Sequence, residues 1–78
     1  MKEILIYIHE KDVTTVYKKI QTLIPFLRWK TISIGNCGWL SPDYWWYVYV
    51  PMRNDEWKRF ATWLNESEID ICNDSSIL

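Results

Sequence analysis

This chain is poor in the residues that interrupt or staple small folds: among 78 residues it has two glycines, three prolines, two cysteines and one histidine. Cys37 and Cys72 allow one disulfide at most, and no CxxC pair occurs, so a disulfide framework is excluded. His9 has no partner at metal-ligand spacing, and a Cys37–Cys72–His9 site would need three scattered ligands. No metal or other cofactor is expected. No apolar run approaches the roughly 20 residues that span a bilayer. Glu3 and Glu10 break up the first apolar stretch, so neither a membrane segment nor a secretory signal is expected. A cytoplasmic, reducing setting is the default for such a chain. A basic excess is missing too. The net charge is −1 and the isoelectric point about 5.7, whereas nucleic-acid binders draw most of their affinity from cationic contacts to phosphate.

What is abundant is aromatic. Aromatic residues make up 17% of the chain, including six tryptophans. A chain this short buries only about 60–65% of the surface it exposes when unfolded, so a dense core is required. Tryptophan and tyrosine, at about 150–250 Å² of buried area each, help to supply it. The charge is divided: residues 1–39 carry +3 and residues 40–78 carry −4, with Glu66, Glu68, Asp70 and Asp74 following the last base, Arg59. The acidic end keeps the protein soluble or meets a basic partner.

Along the chain, Ile4, Ile6 and Ile8 alternate with Leu5, Tyr7 and His9, predicting a strand. Asp12 is placed as a helix N-cap, and Val13, Val16, Tyr17, Ile20, Leu23 and Ile24 form one apolar stripe that Pro25 ends. Trp29 to Ile34 alternates again and predicts a second strand. Residues 35–43 contain both glycines and predict a loop. Tyr44 to Val50 is entirely aromatic or valine, predicting a third strand that Pro51 stops. Asn54 is placed as the next N-cap, followed by a stripe of Trp57, Phe60, Ala61 and Leu64. Glu68 to Cys72 alternates and predicts the last strand. Residues 1–72 are expected to form one domain, and 73–78 a flexible C-terminal tail.

The predicted order is βαββαβ, an α+β chain. Right-handed crossovers interleave its two βαβ halves into a four-stranded antiparallel sheet with two helices on one face. This order resembles the ferredoxin-like fold over nearly the whole chain. The fold hosts many unrelated activities and licenses none by itself.

In that arrangement Ile4, Ile6, Ile8, Ile32, Ile34, Val48, Val50, Ile69 and Ile71 face the helices. Alternation then sends Tyr7, His9, Trp29, Thr31, Ser33, Trp45, Tyr47, Tyr49 and Asp70 to the open face. A patch of that kind is larger than monomers usually leave bare. Three coverings compete: a second copy in a homodimer, a protein target, or nucleobases. Ile6-Tyr7-Ile8 with Trp45 and Tyr47 is similar to the aromatic pattern of RNA-recognition domains. That motif opens its third strand with a basic residue and glycine, whereas Asp43 and Tyr44 stand here. The expected binding residues are Tyr7, Trp29, Trp39, Trp45, Tyr47 and Tyr49, with Arg28, Lys30 and Arg53 meeting a phosphate or an acidic partner.

Catalysis is not expected, because the acids lie at helix starts and on the last strand and do not converge. Cys37, between Gly35 and Gly38, is the candidate nucleophile. The architecture is similar to that of acylphosphatases, but their glycine-rich arginine loop is absent. Size, surface and the lack of a catalytic constellation suit a small inhibitor of a protein target, of the phage anti-defence, immunity or antitoxin type. A nucleotide- or RNA-binding domain is the alternative.

Overall fold

The computed structural model describes residues 1–37, 45–71 and 76–77. The chain is α+β, with a three-stranded antiparallel sheet and two helices. The elements are β1 (Lys2–His9), α1 (Val13–Leu23), β2 (Ser33–Asn36), β3 (Trp45–Met52) and α2 (Asn54–Glu66). A two-residue strand, β4 (Ser76–Ile77), pairs with β1 through Ile4–Ile77 and Leu5–Ser76. β3 lies between β1 and β2 and is antiparallel to both.

The alternation on β1 and β3 has the expected phase. Ile4, Ile6, Ile8, Val48, Val50 and Met52 form one buried cluster with Val16, Ile20 and Ile24 of the α1 region and Phe60 and Leu64 of α2. Ile32, Ile34, Ile69 and Ile71 pack at its margin. Both helices therefore cover the same face of the sheet. Each fully buried isoleucine or phenylalanine contributes on the order of 2–3 kcal/mol by leaving water. Among the described residues, no helix is long and apolar enough to cross a membrane.

Several boundaries differ from the sequence reading, each for a local reason. The first half of the strand expected over Trp29 to Ile34 belongs instead to a 3-10 segment, Phe26–Thr31, entered from Pro25 and closed by Arg28 N–H to Pro25 O and Ile32 N–H to Trp29 O. β2 begins only at Ser33 and takes in Gly35 and Asn36, which the composition had assigned to a loop. Pro51 does not end β3. Beyond Tyr49 that strand has β1 on one side only, where a missing N–H is tolerated on the unpaired side. Asp12 is the N-cap of α1, but its side chain makes no capping bond. At α2 the N-cap is Arg53, one residue before Asn54, and Glu56 Oε1 accepts the Arg53 N–H at 2.8 Å.

The expected strand at 68–72 is also displaced. Glu68 has φ of 53°, the left-handed region. Its N–H reaches Asn65 O, and Ile69 N–H reaches Leu64 O. This pair of bonds is the Schellman closure of a helix, and Ile69 packs against the core cluster that holds Leu64. Ile71 then makes a single bridge to Ile8.

Candidate functional site

The candidate site is the sheet face opposite the helices. Period-two alternation puts Glu3, Leu5, Tyr7 and His9 of β1 there, beside Trp45, Tyr47, Tyr49 and Pro51 of β3 and Ser33 and Gly35 of β2. Tyr7 stands directly opposite Tyr47, and His9 opposite Trp45. The His9 and Trp45 rings stack, with centroids 4.2 Å apart and planes at 29°. His9 Nε2 lies 3.2 Å from Asp70 Oδ2. At the other end of β1, the Tyr49 hydroxyl donates to Glu3 Oε1 at 3.0 Å. That bond, a degree of burial and the neighbouring negative charge raise the Tyr49 pKa above its ordinary 10.0.

Tyr47 is held by a different device. A Cβ placed on Gly35 would run into Tyr47 Cε2. The phenol ring therefore lies across the β2 backbone, where only a glycine leaves room for it. Its hydroxyl is 3.4 Å from Ser33 Oγ. The aromatic row thus reaches from β1 over β3 onto β2, tied down at its edges by Glu3, Asp70 and Ser33.

Four expected site residues, Tyr7, Trp45, Tyr47 and Tyr49, share this face. Trp29 does not. Its indole Nε1 donates to Gln21 O and Ile24 O, both at 3.2 Å, and its ring meets Phe26 edge-on at 4.8 Å. It satisfies carbonyls that the end of α1 leaves open, and its apolar body packs against the core. Arg28 is not a free cation for a phosphate either. It forms an ion pair with Glu56, and the two side chains are only 17% and 9% exposed. A charge that far from water is held by its partner. Glu56 therefore serves two groups, the Arg28 guanidinium and the Arg53 N–H. Thr31, also expected on the face, donates from Oγ1 to Arg28 O at 2.6 Å inside the 3-10 segment.

Lys30 is exposed on the 3-10 segment. Arg53 is exposed at the α2 N-terminus and lines a shallow depression of about 590 Å³ with Met1, Lys2 and Asn54. That depression sits at the β1–β3 end marked by the Lys2–Met52 pair, away from the His9–Trp45 stack. Trp39 lies outside the described residues. Trp63 lies against Phe60 with nearly parallel rings, 6.1 Å between centroids, and Lys19 Nζ sits 5.8 Å from its ring. It is a partly buried bridge from α2 to α1, with a cation over its face.

Cys37 is a free thiol, 6% exposed, and its N–H donates to Trp45 O at 2.9 Å. Burial keeps it from the exposed, electropositive setting of reactive cysteines. Among the described residues no cluster of three or more His, Cys, Asp or Glu is placed to hold a metal. Sequence reasoning did not single out Glu3 or Gly35. Alternation alone places Glu3 on the face with Tyr7, whereas the demand for glycine at position 35 follows only once β2 is registered against Tyr47. No family model and no curated protein sequence matches this chain.

Proposed function

We propose that this chain is a small non-catalytic binding protein with a ferredoxin-like order of elements. It inhibits a protein target, in the manner of phage anti-defence, immunity or antitoxin proteins. The pairing of β4 beside β1, on the side away from β3, supports that order. One observation carries the functional reading: the row of Tyr7, Tyr47, Tyr49 and the stacked His9–Trp45 pair on the face that, among the described residues, no helix covers. Large aromatic side chains gathered on one face are the material of protein-binding hot spots. The burial of Cys37 supports the non-catalytic reading, and its free thiol suits a reducing cytoplasm.

The test is capture from the native cell with tagged wild type, Trp45→Ala and Tyr7→Ala, each checked for an intact thermal transition. A protein retained by wild type and lost by both folded variants is the expected result. A protein retained equally by all three overturns the assignment of the face.

A second reading is favoured by one specific observation. Tyr7 and Tyr47 stand side by side on adjacent strands, as the base-stacking residues of RNA-recognition domains do. Near-ultraviolet absorbance of protein purified at low salt separates the readings, because retained nucleotide adds absorbance that the protein does not have.

A further inference from the structure

We infer that the occupant of the open face is a cationic protein segment, one that presents arginine side chains along its length. This rests on the reading of that face as the binding surface and adds the chemistry of the partner. Among its described strand positions, the only side chain with a full charge is the carboxylate of Glu3, and no lysine or arginine occurs there. Asp70 adds a second carboxylate at the opposite end through its contact with His9. His9 is six residue steps along β1 from Glu3, so the two acidic ends lie about 20 Å apart at the usual rise per residue.

Between them lie aromatic rings whose faces carry negative quadrupole potential and attract cations. The strip thus offers carboxylates at its ends and ring faces in its middle. A guanidinium satisfies both parts. It stacks flat on an aromatic ring and forms a planar fork with a carboxylate, which an ammonium does less well.

The same charges weigh against the other two occupants. A phosphate backbone needs lysine and arginine to neutralise it, and this face offers carboxylates. Two copies stacked face to face bring carboxylate towards carboxylate at both ends, in whichever direction they run.

The experiment is a titration of the full chain, followed by amide and indole NMR shifts, with three probes: an oligoarginine peptide, an oligoglutamate peptide of equal length, and oligouridylate. Oligoarginine is expected to move the signals of Tyr7, Trp45, Tyr47 and Tyr49, while the other two leave them in place. The doubly substituted Glu3→Gln, Asp70→Asn protein should bind oligoarginine about fivefold more weakly, the scale of two solvent-exposed charge pairs. Glu66→Gln, in the last turn of α2, should not change it. Face signals that move with oligouridylate and not with oligoarginine keep the face as a binding surface but overturn the cationic partner. The same is true if the double variant binds oligoarginine as wild type does. Shifts confined to the Glu66–Glu68 region, with the face silent to all probes, overturn both the inference and the reading beneath it. Face signals that move with protein concentration alone assign the face to a second copy and overturn the cationic partner.

Discussion

The two faces of the β1–β3 pair are built from alternate residues of the same strands, yet they follow different rules. The helix-covered face is aliphatic: Ile4, Ile6, Ile8, Val48, Val50 and Met52 are all buried, and they interlock with Ile20 and Phe60 without a hydrogen bond among their side chains. The open face is aromatic and half-buried, and polar groups fasten it: Glu3 to Tyr49, Asp70 to His9, Ser33 to Tyr47. An aliphatic core is held by exclusion of water. An aromatic face in contact with water keeps its rings in fixed places by bonding their edges, and so remains shaped for something else to land on. Stability therefore resides on the covered face, and the proposal puts recognition on the other, so substitutions should separate them.

The largest effect belongs to the covered face. Ile20→Asp places an unpaired carboxylate where exposure is 0%, and the protein should lose its cooperative thermal transition. Trp45→Ala, on the open face, should cost well below the roughly 3–5 kcal/mol of a truncated core aromatic and leave a cooperative melt. Comparable losses for both would erase the distinction between the faces.

Arg28 tests the same division away from the sheet. If its role is to neutralise the nearly buried Glu56 carboxylate, Arg28→Met should lower stability by about 2 kcal/mol or more, since it strands a buried charge. If it served a ligand instead, denaturant midpoints would stay where they are. Glu56→Gln in the Arg28→Met background should recover part of the loss, because it removes the stranded charge and keeps an acceptor for the Arg53 N–H.

Much of this was legible in the sequence because alternation is a strict rule. Once Val48 and Val50 are assigned to the core, Tyr47 and Tyr49 have no choice of side, and a one-residue slip would have inverted every one of them. The helical stripes were equally plain, apart from Tyr17, which sits at the edge of its stripe and is exposed. The failures share a cause. Trp29, Lys30 and Thr31 alternate like a strand, but alternation over so few residues does not distinguish a strand from a 3-10 segment. What decided it was the indole of Trp29 meeting two open carbonyls of α1, a contact that no local pattern records. Glu68 adopts a left-handed conformation that usually announces itself as glycine or asparagine, so in the sequence the end of α2 looks like the start of a strand. Arg28 and Glu56 are 28 positions apart, and only the fold brings them together.

On the open face, Gly35 and Tyr47 should behave as one unit. Gly35→Ala pushes the Tyr47 ring off the β2 backbone, with an expected cost of about 1 kcal/mol by the scale of modest overpacking. The ring is the far end of a side chain and can move, so the backbone need not. In a Tyr47→Ala background the clash is gone, and the same substitution should be neutral or stabilising, because alanine loses less entropy in a strand than glycine. A double-mutant cycle reads this directly. Equal costs in both backgrounds would mean that Gly35 is needed for its own backbone and not for the ring.

The smallest effect is at the alkaline end of the pH range. Neutral Tyr49 donates to Glu3, while ionised Tyr49 would lose that bond and repel the carboxylate, so the folded protein holds the proton more tightly than the unfolded chain does. With the folded pKa raised, the contribution is fully present below 10.0, the ordinary value. It is lost as pH rises through that value and then through the higher one of the folded state. Tyr49 should ionise late in a tyrosinate absorbance titration of the native protein. Glu3→Ala removes acceptor and charge together and should bring that titration back towards the ordinary range, with no change in the helical circular dichroism. Tyr49→Phe should delete the late step. A late step that survives Glu3→Ala would assign the shift to burial, and with it Tyr49 would belong to the covered half of the comparison.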